Sequence, residues 1–187
     1  VAEMNRLGVV IDMSHAGERT TLEAVAASAR PVTVSHANPA SWHDVSRNVS
    51  DRVLDALRDS GGMLGFSLYP PHLKGGGACS LEAFCDMVAR TAERIGVARL
   101  GIGSDLCQDQ PDSVVEWMRV GRWTKNIDYG EGSAANPGFP PQPEFFRDNR
   151  DFPGLGEGLR RVGFSEHEVR GIIGENWLRF FETSFGP

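Results

Sequence analysis

Three apolar runs of this chain each end in a residue that can bind a metal or move a proton. Val9-Val10-Ile11-Asp12-Met13-Ser14 runs into His15, Val32-Thr33-Val34-Ser35 into His36, and Leu100-Gly101-Ile102-Gly103-Ser104 into Asp105. Neutral imidazole is a common zinc ligand. A carboxylate at such a site can orient a water, take its proton and pass it to a leaving amine. Taken singly, either histidine could be a satisfied structural residue beside a loop, and Asp105 a cap. Together, at three run ends, they point to one shared pocket. Arg47 lies in the polar loop after His36, and its planar guanidinium suits a bidentate grip on a substrate carboxylate. A merely solvated loop arginine would look the same in sequence. Strand alternation sets Asp12 on the face opposite His15, which makes it structural. Ser14 and Ser35 precede the histidines without the glycines of a nucleophile elbow, so serine hydrolysis is not expected. His43, His72 and His167 have no partner that sequence can place.

The elements that must position these groups follow a repeating grammar. A β-branched run followed by a helical stretch reads as a β/α unit. Strands are expected at Gly8–Ser14, Val32–Ser35, Met63–Leu68 and Leu100–Ser104. Helices are expected at Val1–Leu7, stopped by Gly8, at Thr20–Ala29, after caps at Ser50 or Asp51 and at Ser80, and around Val169–Ile173 and Asn176–Phe185. The fold class is therefore α/β: four parallel strands with flanking helices, half of a (β/α)8 TIM-type barrel whose polar groups gather at the strand ends. A doubly wound open sheet is the competitor. It lacks support, because Gly101-Ile102-Gly103 lies inside a strand without the third glycine of a dinucleotide fingerprint. Residues 108–155, rich in Gly, Pro, Asn and aromatics from Gly121 on, read as an irregular insertion.

Composition narrows the class further. The chain of 187 residues has a hydrophobic fraction of 40%, a charged fraction of 24% and a net charge of -6. These are the values of a globular domain with a real core, and they argue against nucleic acid. No run reaches the roughly 20 apolar residues that span a bilayer, so no membrane span is expected. Cys79, Cys85 and Cys107 show neither metal nor disulfide spacing, which leans toward reduced thiols and a cytoplasmic setting. The chain opens at Val1 inside what reads as a helix end, so a segment upstream is expected.

At these residues the chain resembles the membrane (renal) dipeptidase family, zinc peptidases of the amidohydrolase-like barrel class. The resemblance is carried by Gly8–His15, Pro31–His36, Arg47–Leu54, Gly101–Asp105 and Gly174-Glu175-Asn176-Trp177-Leu178-Arg179-Phe180-Phe181, in family order and nearly end to end. It implies the C-terminal half of the barrel, with His15 and His36 as ligands of one metal in a two-zinc site. It also implies Asp105 as the acid/base, Arg47 as the grip on the substrate's C-terminal carboxylate, and Tyr69 as a substrate contact. The implied reaction is hydrolysis of a dipeptide amide by a metal-bridged hydroxide. The family's His-x-Asp pair, its bridging glutamate and its further substrate-contacting histidine have no counterpart here. One zinc would be short of the usual three protein ligands and the other would have none. Three other expectations stay open: a related amidohydrolase with another substrate, a non-catalytic half-barrel that needs a partner, and a homodimer that covers the open sheet edges.

Overall fold

The computed structural model describes residues 1–118 and 138–185. At its centre is a parallel sheet of β1 (Thr33–Val34), β2 (Met63–Phe66) and β3 (Leu100–Ile102), in sequence order. Thr33 pairs with Met63, and Leu64, Gly65 and Phe66 pair with Leu100, Gly101 and Ile102. All nine strand residues are buried, as parallel sheets covered by helices require.

One predicted strand is absent. The run Gly8–Ser14 contributes only a single parallel bridge, Asp12 to Thr33, so the sheet has three strands among the described residues and not four. The cause is local. The Asp12 carboxylate captures the Ser14 N–H at 3.0 Å and turns the chain, and Ala16 N–H closes on Met13 O at 3.0 Å. A side chain that hydrogen-bonds its own backbone two residues on competes with the ladder.

Helices flank the sheet. α1 (Ala2–Leu7) ends at Gly8, whose φ of 68° only glycine adopts freely. α2 (Glu18–Ala27) follows, and then α3 (Asp51–Ser60), capped by Ser50 Oγ accepting from Val53 N–H, buries Val53, Leu54 and Leu57. α4 (Leu81–Ile95), capped by Ser80 in the same way, buries Phe84, Cys85 and Val88. The stretch expected to be irregular carries α5 (Asp112–Met118) and the start of α6 (Phe152–Arg161), while 119–137 lies outside the described residues. Three glycines hide the period of α6. One of them is a packing requirement, since a Cβ on Gly158 would lie 2.7 Å from Cys85 Sγ of α4. α7 (Glu166–Arg170) opens with a reciprocal capping box between Ser165 and Glu168. A π-helical turn, Gly171–Glu175, leads into α8 (Asn176–Phe185). Trp177 of α8 lies against the glycines of β2 and β3 and donates its indole N–H to Ile102 O at 3.0 Å.

Candidate metal centre and substrate pocket

The predicted residues meet at the carboxyl ends of the strands. His15 follows the Asp12 bridge, His36 follows β1, Tyr69 follows β2 and Asp105 follows β3. His15 Nε2 and His36 Nε2 stand 3.0 Å apart. Arg47 reaches back from its loop to place Nη2 3.0 Å from His15 Nε2. His15, Arg47, Tyr69 and Asp105 all line one cavity of about 850 Å³. His36 and Asp105 line a second of about 520 Å³, so Asp105 borders both. Two of these residues, His15 (φ 68°) and Asp105 (φ 53°), occupy the left-handed region, which is costly for a side-chain-bearing residue and clusters at functional sites.

Two features of this site escape a sequence reading. Asp12 is not turned away from the histidines. It lines the cavity that His36 borders, and its carboxylate accepts hydrogen bonds from Ser14 and Ser35. Alternation fails here because the chain turns before His15. The second is His72, buried behind Tyr69 with Nδ1 2.8 Å from Ser67 Oγ. Asn38 and Asn48 both donate to His72 O, at 3.1 and 3.0 Å, and Asn38 exchanges bonds with Ser67. This network ties the loop carrying Arg47 to the loop carrying Tyr69. Nothing in the local sequence announces it, because the bonds from Asn38 and Asn48 to His72 O span 34 and 24 positions.

The electrostatics favour the neutral forms of His15 and His72. Burial, then the charges of Arg47 and His36, hold His15 below the ordinary histidine value, against the opposing pull of Asp105 and Asp12. Burial and the same cationic surroundings push His72 down to about 3. Burial would raise the Asp12 carboxyl, but the hydrogen bonds from Ser35 and Ser14 together hold it below the usual carboxylate range.

The donor set fits a metal in kind and falls short in number. A guanidinium only donates, so Arg47 requires a lone pair at His15 Nε2. Facing that lone pair at 3.0 Å, the His36 Nε2 position calls for a proton or a cation between the rings. Two imidazoles on one tetrahedral zinc stand roughly 3.3 Å apart at the usual Zn–N distance. Among the described residues no group of three or more His, Cys, Asp or Glu side chains gathers to hold a metal ion.

This fold and site define a class. A parallel α/β sheet carries paired histidines, an acid and an arginine at the ends of its strands, as in metal-dependent amidohydrolases. The description "Membrane dipeptidase (Peptidase family M19)" matches residues 1–124, and the chain belongs to that family. It is 31% identical over 185 residues to Dipeptidase verJ of Clonostachys rogersoniana, covering 98% of this chain and 39% of that protein. It is 33% identical over 181 residues to Dipeptidase 3 of Rattus norvegicus, covering 97% and 31%. The chain thus spans well under half the length of these curated relatives. An amidohydrolase structure from Pseudomonas aeruginosa superposes with a TM-score of 0.86 at 32% identity, covering all of this chain and 55% of that one. The metallopeptidase structure of dipeptidase AC, of family M19, does so with a TM-score of 0.77 at 25% identity, covering 100% and 47%. Family membership implies a metal cofactor. No helix of the described residues is long and apolar enough to cross a membrane.

Proposed function

We propose that this chain carries the C-terminal part of a zinc dipeptidase active site, with His15 and His36 as ligands of one metal. The observation that carries the reading is the convergence of the two Nε2 atoms at 3.0 Å beside Arg47, at the rim of a cavity that Asp105 also lines. Zinc, when bound, would acidify the attacking water and polarise the scissile carbonyl. Asp105 would hold the proton taken from that water and deliver it to the departing amine. Arg47 would bind the free carboxylate of the substrate, so that the amide one residue away meets the metal. Tyr69, buried in the same cavity wall, would touch the peptide beside it.

The shortage of ligands belongs to the same proposal. Two imidazoles are fewer than the three protein ligands of a usual catalytic zinc. The relatives' greater length is where the remaining ligands would reside, and the three-stranded sheet with its helices would be the C-terminal half of a barrel. A second reading, a half-barrel inactive by itself, is favoured by the absence of any larger metal-binding group among the described residues. Zinc binding and dipeptide hydrolysis measured on this chain, with and without the remaining barrel strands supplied, distinguish the two. Zinc-dependent turnover only with the added strands supports the half-site reading. Failure of zinc to bind in either case would sink the metallopeptidase assignment of this site.

A further inference from the structure

The Asp12 carboxylate gathers four donors. Its Oδ1 accepts from Ser14 N–H at 3.0 Å, Ser14 O–H at 2.9 Å and Ser35 N–H at 3.0 Å, and its Oδ2 lies 2.5 Å from Ser35 Oγ. Each serine has a single hydroxyl proton. The Ser35 proton belongs on Oδ2, because a separation that short is the mark of a hydroxyl donating to a carboxylate. The Ser14 proton belongs on Oδ1, while Ser14 Oγ accepts from His36 N–H at 3.1 Å. The hydroxyls also lie 3.1 Å from each other, but neither has a second proton to give.

Ser35 Oγ is also 2.8 Å from His36 Nδ1. With its own proton spent on Asp12, Ser35 can only accept there, so the proton on that bond belongs to the ring. A neutral His36 then carries its N–H at Nδ1 and its lone pair at Nε2, the atom that faces His15. In that neutral form the Nε2 lone pairs of the two rings face each other with no ring proton between them.

We propose that Asp12 and Ser35 are positioning residues for the metal centre: a carboxylate–hydroxyl–imidazole relay that locks His36 in the Nδ1–H tautomer and aims its Nε2 lone pair at the position shared with His15. Metal-binding histidines ordinarily donate their second N–H to a carboxylate or carbonyl, which fixes the ring and raises its basicity. Here a serine is interposed between the ring and the acid. The role of the relay in metal binding rests on the zinc reading above, whereas the tautomer does not.

The test is heteronuclear NMR of the metal-free chain carrying ¹⁵N-histidine, using two-bond ¹H–¹⁵N correlations that separate Nδ1–H from Nε2–H rings. The wild type should show His36 as Nδ1–H. Ser35→Ala and Asp12→Asn should each release it toward Nε2–H while amide dispersion stays native. In the same variants the affinity for zinc should drop by about 10- to 100-fold, the usual effect of removing such a partner. Finding His36 as Nε2–H in the wild type would overturn the proposal, and that measurement needs no variant to fold. A tautomer unchanged in both folded variants would overturn it equally. A Nδ1–H wild type that fails to bind zinc would support the relay and refute the metal reading.

Discussion

His15 Nε2 and His36 Nε2 face each other at 3.0 Å, although they follow different segments of the sheet and His15 must hold a φ of 68° to be there. A left-handed backbone costs an L-residue roughly 1–2 kcal/mol. Solvated histidines on separate loops would have no reason to converge under that strain. Under the proposed zinc reading, an ion that both rings ligate would supply the reason.

Zinc added to the chain should therefore bind at no more than one ion per chain, and weakly, because two imidazoles are an incomplete set. Replacing either histidine with alanine should abolish that binding. Equilibrium dialysis with metal analysis gives the stoichiometry. Thermal melts should show a zinc-dependent rise in Tm for the wild type alone, since a ligand of the native state stabilises it by mass action. Two tightly held zincs on this chain would contradict the half-site.

Arg47 has two tasks to separate. It donates to His15 at 3.0 Å, and it is proposed to grip the substrate carboxylate. Hydrogen bonds to charged groups contribute about 1.5–3 kcal/mol, so Arg47→Ala should lower kcat/KM for a dipeptide by roughly 10- to 150-fold in an active preparation. A dipeptide amide, which lacks that carboxylate, should be a poor substrate that barely notices the change. Arg47→Lys should recover only part of the loss, because a point charge cannot reproduce the fork. Equal losses on acid and amide would reassign Arg47 to holding His15.

Asp105 should behave as a proton carrier and not as a ligand. Asp105→Asn preserves shape and removes the base, so kcat should fall by about 10²- to 10⁴-fold with metal content unchanged. Loss of metal together with activity would make it part of the coordination sphere.

Local signals were legible in the sequence, and long-range ones were not. The caps at Ser50 and Ser80 follow from side chains reaching three residues ahead, and both form. β2 and β3 follow from short apolar runs with glycines. The run before His15 has the same composition, yet Asp12 spends its carboxylate on Ser14 and breaks the ladder. That one bond also defeated the alternation argument, which put Asp12 on the wrong side and hid its link to His36. α6 was obscured by three glycines, of which Gly158 is required by close packing on α4. The Asn38–Asn48–Ser67–His72 network depends on partners that only the folded chain brings together.

That network should also set how the fold responds to acid. His72 is 2% exposed, and burial followed by the charges of Arg47, His36, His15 and His43 pushes it from the ordinary histidine value of 6.5 down to about 3. A histidine whose folded value lies below its unfolded value binds its proton first in the unfolded state. Its contribution is complete above about pH 6.5 and is lost progressively as the pH falls toward 3. For this shift the loss between about pH 7.5 and about pH 5 is roughly 2 kcal/mol, as an order of magnitude. Urea unfolding at those two values should show the wild type losing stability by that amount. His72→Asn leaves an oxygen near the Nδ1 position for the Ser67 hydroxyl but cannot titrate. Although it should be less stable at neutral pH, its stability should fall less between the two values. Acid sensitivity undiminished in His72→Asn would place its origin elsewhere, with His15, also held low by burial, as the next group to test.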